Sequence, residues 1–271
     1  GVTAIALARE ASTVVTGGSG GTIEFRNATD RWSQAVASKQ PDREDLLAFT
    51  VLKNNKTVLA WTPRGMTIYV APKFVGRVRA FEFPELEGSP LLHARFANSG
   101  SRGIAASRDR IFIFSNLHSQ PRIQKTIEEP NVELLALDPP GRNLATFGGT
   151  PKALRIWNSS SGKVRHVITS LESIRAITFD PNGRRLFLVS RSKGIQIVSV
   201  SSGRLTSFSE PHPSSSVITV RPDGKRFALA EEDGSISIID TQTGDTTWKL
   251  RGHNHAVEQL TFDSTGRWLL S

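Results

Sequence analysis

Apolar residues in this chain fall into short runs of four to six, and the turns between those runs recur at a fixed distance. The clearest copies are DPPGRNLATF at 138–147, DPNGRRLFLV at 180–189, RPDGKRFALA at 221–230 and DSTGRWLLS at 263–271. ANSGSRGIAA at 97–106 is a weaker copy. The turn glycines Gly100, Gly141, Gly183, Gly224 and Gly266 are separated by 41, 42, 41 and 42 residues. Two degenerate copies precede them, with Asn55 and Ala11 in the glycine slot, 45 and then 44 residues upstream. Asn tolerates positive φ and suits such a turn, whereas Ala suits it less well. Seven copies at a near-constant period define a repeat architecture.

Each unit reads internally as four short strands. In the fifth copy these are IRAITF, LFLVS, IQIVSV and a last strand at 205–208, with Ser201, Ser202 and Gly203 in the final turn. The sixth copy repeats the order with VITV, FALA, SISIID and TTWKL. Short β-rich runs bounded by Gly, Pro, Asp and Asn are strand-and-turn patterns, and no segment sustains a helical period. Four antiparallel strands per roughly 42 residues is a propeller blade. The expected fold is all-β, a single propeller domain over 1–271 with blades near 1–45, 46–90, 91–130, 131–172, 173–214 and 215–254. Residues 255–271 supply the first half of a seventh. One such sheet cannot bury both faces alone, so each must hide its apolar surface against its neighbours.

These residues resemble the WD40-repeat β-propellers over essentially the whole chain. The family's Trp-Asp position reads Trp157-Asn158 and Ile239-Asp240. It drifts to Phe25-Arg26, Tyr69-Val70, Phe114-Ser115 and Val198-Ser199 elsewhere, and the family's Gly-His pair occurs once, as Gly252-His253. The resemblance implies a buried network of His, Asp, Ser or Thr, and Trp inside a blade. No copy carries the full set, so cohesion is expected to rest on apolar packing. It also implies a seven-bladed ring, completed by strands outside this segment of a larger parent chain.

Composition narrows the chemistry. Cysteine is absent, which removes disulfides, thiolate metal sites and cysteine nucleophiles. No apolar stretch is long enough to span a bilayer, and no charged-then-apolar leader opens the chain. The expected location is cytoplasmic. The formal charge is +9, and the turns between first and second strands gather much of it. Lys53, Arg102, Arg142, Arg184, Arg185, Lys225, Arg226 and Arg267 form a candidate basic rim for a polyanion, RNA or another acidic surface. Asp138, Asp180, Asp223 and Asp263 lie beside them, and no Phe or Trp is interleaved as a stacking platform. The turns between second and third strands mix both signs. There Arg108, Arg110, Arg191, Lys193 and Glu232 form a candidate partner-binding face, where rim charges set orientation.

Other motifs are weaker. Of six histidines only His253 and His255 are close in sequence, and a metal would need a distant third ligand. The run from Gly17 to Gly21 lacks the Lys-Ser/Thr of a phosphate loop and reads as an inter-strand loop. Asn27, Asn55 and Asn158 match the three-residue glycosylation pattern, discounted without an export signal. No G-x-S-x-G elbow or acid/base carboxylate pair is present. The expected function is a non-catalytic protein-interaction scaffold that needs no cofactor. Its partners are other proteins and the parent chain's other domains, and a polyanion-binding scaffold is the alternative. A quinoprotein-like cofactor propeller is a remote third reading, whose ligands would come from first-strand residues such as Glu133, Arg175 and Glu258.

Overall fold

The computed structural model describes residues 2–7, 13–18, 23–27, 38–39, 47–51, 57–70, 76–86, 88–97, 99–208 and 217–271. They divide into two compact units. Gly1–Pro130 with Asp263–Trp268 form the first, and Asn131–Phe262 with Leu269–Ser271 the second.

The first unit holds β1 (Val2–Leu7), β2 (Thr13–Gly18), β3 (Ile23–Asn27) and β4 (Ser38–Lys39), then β5 (Ala48–Val51), β6 (Thr57–Thr62), β7 (Gly65–Val70) and β8 (Gly76–Glu82). A 3-10 turn at Pro84–Leu86 leads to β9 (His93–Phe96), β10 (Arg102–Ala106), β11 (Arg110–Ser115) and β12 (Arg122–Glu128). The second unit holds β13 (Val132–Leu137), β14 (Asn143–Gly148), β15 (Ala153–Asn158) and β16 (Val164–Ile168). These are followed by β17 (Ile174–Phe179), β18 (Arg185–Ser190), β19 (Gly194–Ser199) and β20 (Leu205–Ser207). Next come β21 (Val217–Val220), β22 (Arg226–Ala230), β23 (Ile236–Asp240) and β24 (Thr246–Leu250), then β25 (Thr261–Phe262) and β26 (Leu269–Leu270).

Every consecutive set of four, from β1–β4 to β21–β24, is one antiparallel meander, and β25–β26 is a two-stranded sheet. The fold is thus an all-β propeller of four-stranded blades, six complete and a seventh represented by its first two strands. Within each unit the first strands of successive sheets lie side by side, β1 to β5 to β9 and β13 to β17 to β21 to β25. Gly17 and Gly18, expected in a loop, belong to β2, while Ser19, Gly20 and Gly21 lie outside the described residues.

Strand alternation builds the core. In β18, Leu186 and Leu188 pack with Phe147, Leu154 and Ile156 of the fourth sheet. The residues alternating with them, Phe187 and Val189, face the other way onto Phe227, Leu229 and Ile239 of the sixth. Because successive side chains point to opposite faces, a strand buried on both sides must be apolar throughout. In the first unit Trp61 is fully buried, with ring centroids 4.5 Å from Phe114 and 5.7 Å from Phe96.

The repeated turn has a definite geometry. Gly100, Gly141, Gly183, Gly224 and Gly266 all adopt φ between 64° and 74°. In each, the glycine amide donates to the carbonyl three residues back, as from Gly183 to Asp180 at 2.9 Å. This is a tight turn closed by a left-handed residue, a conformation that costs glycine little. The aspartates beside the basic residues are part of the turn itself. Asp138 Oδ1 accepts the amides of Arg142 at 2.6 Å and Asn143 at 2.9 Å. Asp180 Oδ1 likewise accepts Arg184 at 2.7 Å and Arg185 at 3.1 Å. Both residues are buried, so their carboxylates hold turn backbone and do not stand in the rim.

A Cβ at Gly183 would run into the Asp138 carboxylate, whereas one at Gly224 would meet only Pro181 Cδ at 3.6 Å. Both positions carry positive φ, so Gly183→Ala is expected to cost about 1–3 kcal/mol, and more than Gly224→Ala. Urea unfolding of the two variants measures this, and equal losses would deny Asp138 its part.

Candidate functional site

Alternate turns of a meander lie at opposite ends of the sheet, so each blade presents two loop sets. At one end the first-to-second and third-to-fourth strand turns meet. Their contact is direct: Ser159 N donates to Arg142 O, Val200 N to Arg184 O and Thr241 N to Lys225 O, each at 2.9 Å. This pairing adds Lys163 and Arg204 to the basic end of the second unit, two exposed residues that the first-turn pattern alone does not collect.

The basic-rim residues differ in their surroundings. In the second unit Arg184 and Lys225 are exposed. Arg142 Nη2 donates to Asn182 O of the next blade at 3.2 Å. Arg185 bridges further, with Nε on Asp180 Oδ2 at 3.3 Å and its two Nη atoms each 3.4 Å from Gly224 O and Thr241 O. Its guanidinium also lies 5.3 Å from the Phe187 ring centroid. Arg142 and Arg185 therefore fasten neighbouring blades as well as carrying charge. Arg226 stacks on Trp248, 4.6 Å from the ring centroid, so an aromatic does adjoin this basic residue through space. In the first unit Arg102 opens β10 half-buried and Arg267 is exposed. Lys53 lies outside the described residues.

The opposite end carries the mixed-charge candidates. In the second unit Arg191 and Lys193 sit exposed between β18 and β19, and Glu232 sits exposed between β22 and β23. In the first unit Arg108 is exposed in the turn between β10 and β11. Arg110 is held in place, with Nε 3.4 Å from Asp109 Oδ2 and Nη2 donating to Ser89 Oγ at 2.9 Å. Asp109 is held below the usual carboxylate range, first by the Ser107 hydroxyl, which donates to it at 2.8 Å, and then by Arg110.

Ser89 connects that turn to a groove of about 640 Å³ in the same unit. Its walls are Pro63, Arg64, Pro84 and Pro90, with Glu82 at the rim and the mostly buried Phe83 and Leu86 beneath. The connection from β8 to β9 that shapes it is pinned twice, by Leu91 N on Pro63 O and Leu92 N on Ala106 O, both 2.8 Å. Turn periodicity missed this site because it lies in the connection between blades, which the repeat does not constrain. The visible trace in the sequence is PELEGSP, a proline-bounded insert after the eighth strand.

His253 Nε2 lies 2.6 Å from Ser271 Oγ, and the Trp157 indole donates to Thr146 Oγ1 at 3.0 Å. Among the described residues no three of His, Asp and Glu gather as a metal site, and no helix is long and apolar enough to cross a membrane. No family model matches the chain, and no curated protein matches it.

The Asp263 carboxylate gives its own turn a pH dependence. Burial acts to raise its pKa, but the Thr265 hydroxyl and the Trp268 and Thr265 amides outweigh that and hold it below the ordinary value. A folded pKa below the unfolded one adds stability above the unfolded value, about pH 4, and this is lost as pH falls through the folded value. Asp263→Asn should therefore be less stable than the parent at pH 7 and lose less on acidification to about pH 3. Melting curves across that range check the sign, and parallel acid losses would contradict it.

Proposed function

We propose that this chain is a non-catalytic protein-interaction module, a WD40-like propeller whose loop face docks a segment of another protein. The observation that carries this is the groove walled by Pro63, Pro84 and Pro90. It pairs an apolar floor with charged rim groups, Arg64 and Glu82, and reaches the Arg108 turn through Ser89 and Arg110. Interfaces draw their energy from a few anchors seated in such pockets, while rim charges set orientation and on-rate. The occupant is a short apolar segment flanked by an acidic residue that meets Arg64 or Arg108. Family resemblance supports the module reading through the 41–42-residue period and two bonds, Trp157 to Thr146 and His253 to Ser271. They are partial counterparts of the His, Ser/Thr and Trp network.

Peptides enriched from a random library on the parent chain should bind Arg64→Glu/Arg108→Glu at least about tenfold more weakly, a loss of about 1.4 kcal/mol. Arg191→Glu/Lys193→Glu should leave the same peptides unaffected. Equal binding to all three proteins would reject the groove.

A second reading is favoured by one feature of the second unit. Arg184 and Lys225 stand exposed at the same end while Asp138 is buried within its turn and Asp180 pairs with Arg185, which leaves Asp223 as the exposed counter-charge beside Lys225. Such an end suits a polyanion such as RNA. Counterion release then requires affinity for an oligonucleotide to fall steeply between about 50 and about 500 mM salt, and to fall further in Arg184→Glu/Lys225→Glu. Salt-independent binding would remove this reading.

A further inference from the structure

Asn182 and Gly183 form the chain's only Asn-Gly pair, and they close the first turn of the fifth sheet, Asp180-Pro181-Asn182-Gly183. In the other copies the residue ahead of the turn glycine is Ser99, Pro140, Asp223 or Thr265. Glycine at 183 is demanded by the fold. Its φ is 68°, and a Cβ there would run into Asp138 Oδ2 of the fourth sheet. Asn182 beside it is exposed.

This pair carries its own chemistry, because glycine has no side chain to shield its nitrogen. When the Gly183 nitrogen gives up its proton to solvent and bonds to Asn182 Cγ, a five-membered succinimide closes and the side-chain nitrogen leaves as ammonia. Water then opens the ring. Cleavage of the new Cγ–N bond leaves aspartate at position 182. Cleavage of the original peptide C–N bond leaves isoaspartate, whose main chain runs through Cγ and is longer by one carbon. Either way one water is consumed and one ammonia released, with no oxidant or cofactor.

The closed turn blocks the first step by holding the reacting peptide unit at both ends. Gly183 N donates to Asp180 O at 2.9 Å, and Asn182 O accepts from Arg142 Nη2 of the fourth sheet at 3.2 Å. Attack on Cγ needs rotation about the Asn182 Cα–C bond, which breaks both contacts. We infer that Asn182 is a deamidation site gated by the seam between the fourth and fifth sheets, silent while Arg142 and Asp180 pin its peptide and reactive whenever the seam opens. The two products differ in fit. Aspartate is accommodated, since Asp223 holds the same place in the sixth sheet and accepts the Lys225 amide at 2.9 Å. Isoaspartate lengthens a turn whose glycine already lies against Asp138, so the seam cannot close as before. Both place a carboxylate beside the exposed Arg184 and lower the positive charge of that end.

Peptide mapping by mass spectrometry, on chain incubated at neutral pH, follows asparagine, aspartate and isoaspartate at position 182. The folded chain should react at least about tenfold more slowly than the same chain in urea, because only the open fraction reacts. Arg142→Gln releases the Asn182 carbonyl, and should speed the reaction of the folded chain by about threefold or more while leaving the rate in urea unchanged. Its melting curve confirms that it is folded. Lys163→Gln removes an exposed cation from the same end without touching the clamp, and should react as the parent does. On refolding of aged material, isoaspartate should collect in the fraction that fails to refold, and Asn182→Asp should melt close to the parent. Equal rates for the parent folded and in urea would overturn the inference. So would a folded Arg142→Gln that deamidates no faster than the parent.

Discussion

Everything in this molecule depends on sheets that are buried on both faces. In β18 the side chains alternate between two cores, Leu186 and Leu188 in one and Phe187 and Val189 in the other. Either neighbour can be removed only by exposing half of that strand. At about 25 cal/mol for each Å² of apolar area, a single uncovered face is a large penalty for one small sheet. Cohesion therefore passes from blade to blade, and a blade has no stable existence as a separate object.

Polar groups reinforce this stacking without replacing it. Buried aspartates at 138 and 180 accept turn amides, and the glycine turn of the fifth blade packs on the aspartate of the fourth, Gly183 on Asp138. Arg142 and Arg185 extend the same seam by donating to carbonyls of the following blade. Charge that reads as a binding surface along the chain is thus partly committed to assembly. In the proposed reading a partner meets loops outside the repeat, above all the proline-walled groove between β8 and β9.

The row of Arg226, Trp248 and Leu250 on the sixth sheet and that of Arg185 and Phe208 on the fifth have different neighbours. Where Phe208 of an outer strand is covered, Gly244 of the next blade's last turn lies over its ring. Exposure of a tryptophan here reports the state of the neighbouring sheet, so surface and core are local descriptions of the same face.

The strand boundaries, four-stranded units and turn geometry were legible in the chain because they are local. Ile174–Phe179 and Thr246–Leu250 coincide with the strands read from alternation, and the spaced glycines all take the left-handed conformation. Within the second unit, local rules also placed Arg191 and Glu232 at one end of their sheets and Arg142 and Lys225 at the other, since strand parity decides ends. They could not say which charges were already engaged. Asp138 beside Arg142 reads as rim neutralisation, yet its carboxylate is turned inward; Arg226 reads as isolated from aromatics, yet lies over a tryptophan 22 positions away. The first is settled inside one turn and the second between β22 and β24 of one sheet, neither of which strand parity fixes, while the reach of Arg142 to Asn182 O and of Arg185 to Gly224 O is decided only when the blades stack. The groove belongs to the same class, because no repeat rule governs the path of a connecting segment.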